Sequence, residues 1–217
     1  MRPGAALVAG LLALIAGCAA PPAARTPVAS DPVVSPPTPP PATGPAAIAA
    51  LMEQAASGDP HAQNDLATRY QTGDGVPVDY DRAFGLYQDA VTSNEALIES
   101  NLGFMYDRGY GTLQNHALAN HWFRLAADQG YPPAMLNLGV NLFGGEGEGA
   151  DRVEGMKWVD LARLLTLGDR RLGEKWRVRE IYEHLKAQMT AAEFAEAERR
   201  SAAWYRQFRA SAPPPRS

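Results

Sequence analysis

Four histidines, one cysteine and a glutamate-studded glycine loop are the residues of this chain whose types invite chemistry, and their spacing argues against it. His61, His116, His121 and His184 share no metal-ligand spacing; His116 and His121 are five apart, on different faces of a helix. Cys18 is the only cysteine, which excludes a disulfide framework and a cysteine metal site. Gly145-x-Gly147-x-Gly149 has the look of a phosphate loop, but no strand pattern precedes it and no lysine follows. Glu146 and Glu148 in that loop are weak cation ligands at best, and the loop is expected to face solvent. No serine sits in a nucleophile-elbow context, and the paired carboxylates lack a pocket to work in. The expectation is a non-enzyme with no metal and no cofactor.

The elements that would position any site come from an ungapped 36-residue repeat. Ala62, Ile98 and Ala134 are 36 apart; so are Leu66, Leu102 and Leu138, and Gly73, Gly109 and Gly145. Gly75, Gly111 and Gly147 keep the same register, as do Ala83, Ala119 and Gly155, and Ala90, Ala126 and Ala162. A fixed period in this range marks one supersecondary unit that buries its apolar face only against its neighbours. Each unit reads helix, glycine loop, helix: in the second, Ile98, Leu102 and Tyr106 share a helix face, Gly109 and Gly111 punctuate, and Leu118, Trp122, Leu125 and Ala126 follow at helical spacing. Small residues recur where two helices must approach: Ala67, Gly103 and Gly139 on the first helix, Ala83, Ala119 and Gly155 on the second.

The frame assigns units at about 59–94, 95–130 and 131–166, with a half-repeat at 45–58, where Ala47 and Leu51 stand 36 before Ala83 and Tyr87. It is lost after about Leu165. A long helix around Gly173–Met189 and a last helix after the capping box Thr190–Glu193 form a C-terminal cap over 170–209, and 210–217 is a tail. The fold class is all-α, a right-handed α-solenoid of helix-turn-helix repeats with an N-terminal half-repeat and a C-terminal helical cap.

This pattern resembles the Sel-1-like repeats, relatives of the tetratricopeptide repeats. The second unit carries Leu102-Gly103, Tyr106, Gly109, Gly111, Ala119, Trp122-Phe123, Ala126-Ala127 and Gly130; the first carries Leu66, Tyr70, Gly73-Asp74-Gly75-Val76, Asp79 and Ala83. The third departs, with Leu142 in place of the tyrosine. The resemblance covers roughly residues 46–169. It implies an adaptor that binds a protein or peptide partner on the concave face formed by the first helices. Candidate contacts there are Asn64, Thr68 and Arg69, then Asn101, Phe104 and Met105, then Asn137 and Asn141. The alternative for Phe104 and Met105 is inter-repeat core.

Ahead of the repeats, Arg2 and the apolar stretch Ala5–Ala16 end in Ile15-Ala16-Gly17-Cys18, which resembles a bacterial lipoprotein signal. Residues 1–17 would be removed and Cys18 lipidated; the alternative is an ordinary secretory signal with an incidental cysteine. Ala19 after the cysteine favours an outer-membrane location facing the periplasm. Residues 18–44 read as a tether with nine prolines between Pro21 and Pro41, or else as a proline-rich ligand.

Charge is uneven. Residues 170–217 hold eleven Lys or Arg against six Glu, net +5, while 1–169 hold nine against 18 acidic residues, net −9. Arg170, Arg171, Lys175 and Arg177 form a candidate surface for anionic partners such as peptidoglycan or envelope glycan, or a solvated helix face with pairs such as Arg179–Glu183. An exported acidic chain makes nucleic acid a poor fit.

Overall fold

Proline at the first helical position, a capping side chain before each second helix and a left-handed glycine after each first helix set the local structure of this chain. A computed structural model describes residues 44–167 and 177–211. Nine α-helices occur among them: α1 (Pro45–Ala56), α2 (Pro60–Thr72), α3 (Tyr80–Ala90), α4 (Ala96–Arg108), α5 (His116–Asp128), α6 (Pro132–Gly144), α7 (Arg152–Thr166), α8 (Val178–Lys186) and α9 (Ala191–Ser211), with a short 3-10 turn at Val91–Ser93. No strand occurs among the described residues. The fold is a helical repeat.

The 36-residue period reappears in the hydrogen bonds. Asp79, Asn115 and Asp151 each cap a second helix, accepting from the backbone N–H three residues on at 2.9–3.0 Å. Gly73, Gly109 and Gly145 end the first helices at φ 78°, 69° and 83°, a region that costs other residues energy. Each loop is then closed by the capping residue's own N–H, donated to Tyr70, Tyr106 or Leu142 at 2.8–2.9 Å.

Within a unit the two helices touch through their small residues. A Cβ on Gly103 would lie 2.8 Å from the Phe123 ring, and one on Gly139 would lie 2.7 Å from the Gly155 carbonyl oxygen and 2.6 Å from Val159 Cγ2. Ala67 and Ala83 occupy the same place in the first unit, both fully buried. Between units the second loop glycine does the equivalent. Gly111 meets the Tyr80 carbonyl and Phe84, and Gly147 meets the backbone of His116 and Ala117, so each loop seats on the preceding unit's second helix.

At the C-terminal end, α8 and α9 cover α7. Trp204 packs edge-on against Trp158 at 5.7 Å, and Ser201 Oγ donates to Asp160 Oδ2 at 2.5 Å. The Thr190–Glu193 capping box forms in both directions, 2.8 and 3.3 Å. Two expectations need correction. The helix placed around Gly173–Met189 begins, among the described residues, only at Val178, because Arg177 stands at φ 51° and cannot continue a right-handed helix. The 145–149 loop does not simply face solvent: Asn120 Nδ2 donates to the Glu146 carbonyl at 2.6 Å and Arg124 pairs with Glu148 at 3.3 Å.

Candidate functional site

A stack of amphipathic helices should bury apolar side chains, yet the first helices bury polar ones. Eight of the twelve buried polar or charged side chains among the described residues lie on α2, α4 and α6: Gln63, Asn64, Thr68, Arg69, Glu99, Ser100, Asn101 and Asn137. Such burial costs free energy unless hydrogen bonds replace those lost to water.

Several do find partners. Asn101 Nδ2 donates to Asn64 Oδ1 at 2.8 Å, joining α2 to α4. Gln63 Nε2 donates to the Ala55 carbonyl at 3.3 Å, joining α2 to α1. Thr68 Oγ1 donates to the Asn64 carbonyl at 3.0 Å and stands 3.0 Å from the Tyr87 hydroxyl, whose pKa burial raises. Gln129 Nε2 donates to Glu99 Oε2 at 2.7 Å; burial pushes the Glu99 carboxyl upward, and the Gln129 bond and the charge of His121 oppose that. Asn137 and Ser100 differ: as residues both are at least nine-tenths buried, but neither has a fully buried polar atom without a partner, so their polar ends reach solvent along the first helices. Polar atoms that reach solvent from an otherwise buried row are free to bond to a ligand's polar groups.

The eight residues predicted as one recognition surface therefore separate. Met105 is fully buried and Phe104 nearly so, edge-on to Tyr110 at 5.9 Å; both are inter-repeat core. Thr68 is interior, and Arg69, 2 % exposed, is fixed to Asp74 Oδ2 at 2.8 Å. Their aliphatic or hydroxyl parts fill space between helices, which takes them off any free face. Asn141 donates to Asp107 at 2.9 Å and to Asn120 at 3.0 Å, so it fastens the second unit to the third. Asn64, Asn101 and Asn137 are left to define a polar seam along the first helices.

Helical spacing alone does not bring out the network around Asn141. His116 stands 3.0 Å from Asp107 Oδ1 and 3.6 Å from Glu146 Oε2, and Asn120 and Asn141 complete the cluster. At the same place in the preceding joint, Tyr80 stacks on Tyr110 at 4.3 Å and 12°. The signal was available by pairing column 80/116 with column 110/146, which the loop contact makes neighbours. No group of three or more His, Cys, Asp or Glu able to hold a metal occurs among the described residues.

Of the predicted basic surface, Arg170, Arg171 and Lys175 lie outside the described residues, as do Cys18 and the tether. Arg177 donates to Glu180 at 2.7 Å. Among the described residues no helix is long and apolar enough to cross a membrane.

The Sel1 repeat model matches three times, at residues 60–94, 99–131 and 132–165. A solved protective antigen of uropathogenic Escherichia coli, described as displaying an SLR fold, is 25% identical with a TM-score of 0.62. The alignment covers 79% of this chain but 37% of that one, so this chain spans little more than a third of that neighbour. A solved Sel1 repeat protein from Oxalobacter formigenes is 30% identical over 60% of this chain and 96% of its own, with a TM-score of 0.48. No curated protein matches.

Proposed function

The chain belongs to the Sel1 repeat proteins, and from that premise we propose that it is a lipid-anchored scaffold of the bacterial cell envelope that holds a protein or peptide partner along the seam of its first helices. Sel1 repeats generally mediate protein–protein interaction, and scaffolds built from them are generally non-catalytic. The observation that carries the reading is the pair Ser100 and Asn137, whose polar ends reach solvent from nearly buried residues in line with the Asn64–Asn101 bridge. A carboxamide offers both a donor and an acceptor, which suits a peptide main chain presenting C=O and N–H groups in turn.

The anchor is supported by Ile15-Ala16-Gly17-Cys18, and an outer-membrane site facing the periplasm by Ala19. Acyl chains at ~0.8 kcal/mol per buried methylene would make such anchoring effectively permanent. At ~3.1 Å per residue, the proline-rich stretch from 19 to 44 would let the repeats reach on the order of 80 Å from the bilayer. Binding of envelope glycan through Arg170, Arg171, Lys175 and Arg177 has less behind it, since Arg177 is engaged by Glu180.

Photo-crosslinkers at positions 101 and 137, irradiated in cells, test the proposal. The expected result is one discrete protein adduct shared by both positions. Adducts to glycan alone, or none from either position, would overturn it. Palmitate labelling that disappears in Cys18→Ser is expected for the anchor, and labelling that persists would refute it.

A further inference from the structure

Two asparagines bridge the joint between the first and second units. Asn101 Nδ2, on α4, donates to Asn64 Oδ1, on α2, at 2.8 Å, and both residues are more than nine-tenths buried. One column of the repeat supplies the acceptor and another the donor. One 36-residue period further on, the same columns hold Ser100 on α4 and Asn137 on α6. The second joint is built like the first. Gly147 seats its loop on α5 as Gly111 seats the earlier loop on α3. Asn141, one turn past Asn137, donates to Asp107 of α4 at 2.9 Å, so α6 is fastened beside α4.

The bridge itself is not repeated. A serine oxygen stands one bond nearer its own backbone than an asparagine Oδ1, and no hydrogen bond joins Ser100 to Asn137 among the described residues. Both polar ends reach solvent instead. The second joint thus keeps the donor of the first and lacks its acceptor. In α6 the acceptor column holds Leu136, wholly buried. Among the described residues, then, the unmatched donor occurs at this joint alone. A carboxamide N–H left to water is available to any acceptor that reaches it.

Resting on the reading of the seam as the partner surface, we propose that the second joint is a site for an amide carbonyl. The partner supplies the acceptor that Asn64 supplies in the first joint, and Asn137 Nδ2 donates to it, with Ser100 Oγ alongside. Neither residue carries charge, so a neutral acceptor suits the site. Every peptide unit offers one, and so do Asn and Gln side chains. A main-chain carbonyl is free for this only in an extended segment, because helix carbonyls bond within their own helix. The first joint, which holds its own acceptor, takes no ligand in this way.

The test uses the full chain in cells, with a photo-crosslinker at Leu97, partly buried and one turn before Ser100 on α4. Ser100→Asn restores the internal acceptor. It is expected to raise the melting temperature and to lower capture of the partner about tenfold. Ser100→Ala leaves the opening and is expected to keep capture within about threefold of the parent. Asn137→Asp keeps the shape and turns the donor into an acceptor. It is expected to lower capture about tenfold, and it decides the matter should Ser100→Asn fail to fold. Capture that persists in folded Ser100→Asn, or that persists or rises in Asn137→Asp, would overturn the proposal. Asn137→Leu then separates two failures. If it alone abolishes capture, the seam holds the partner by some other group; if capture survives it as well, the seam reading falls too. Alanine in place of each Asn and Gln of the captured segment locates the carbonyl: capture retained puts it in the main chain, capture lost in a side chain.

Discussion

Two rows of side chains run through the same three units and obey opposite rules. The row between paired helices is small and apolar: Ala67 against Ala83, Gly103 against Ala119, Gly139 against Gly155. The row along the first helices is polar although almost equally buried: Asn64, Ser100, Asn101, Asn137. The first row is what stability alone selects, since close-packed apolar contacts hold the stack together. The second costs stability wherever a polar group is left without a partner. A row that costs stability is the better place to look for function.

The contrast breaks most readily at Gly139. A valine there must put atoms within 2.7 Å of the Gly155 carbonyl and against Val159, neither of which yields easily. Overpacking of this kind costs typically 1–3 kcal/mol and occasionally more. Gly139→Val is therefore expected to lose about 3 kcal/mol in denaturant unfolding, the largest effect in either row. A loss below about 0.5 kcal/mol would mean the helices are not held at this approach.

Glu99 sharpens the other side of the comparison. Its carboxyl is held above its ordinary value of 4.5 by burial. The native state then keeps its proton to higher pH than the unfolded chain does. This contribution to stability is present below the unfolded value and declines as pH rises through the native one. Glu99→Gln keeps the shape and a bond to Gln129 while removing the charge. It is expected to raise stability at pH 7 by about 1 kcal/mol or less, the gain vanishing below pH 4.5. Melting curves across pH 3.5–8 check it; a variant less stable at pH 7 than at pH 4 relative to the parent would reverse the sign.

The first row was legible in the sequence because it is periodic: six columns at 36-residue spacing define the fold, the loops and the close approaches. The half-repeat and the capping box were legible for the same local reasons. The second row was only half legible. Helical spacing puts Phe104 and Met105 beside Asn101, but it does not say that the next unit closes over them and makes them core. The His116–Asp107–Asn141 cluster escaped because its members lie up to 34 residues apart and change type between units, aromatic in one joint and ionic in the next.

The central claim is that the polar seam exists for a partner and not for the fold. The most direct test is Asn137→Leu, measured twice on the same protein. The account predicts that thermal stability stays level or rises slightly, because the Asn137 carboxamide holds no hydrogen bond to the other described residues, while capture of the protein partner from a crosslinker at position 101 falls at least about tenfold, the worth of ~1.4 kcal/mol. Undiminished capture, or a melting temperature that falls along with it, would contradict the claim.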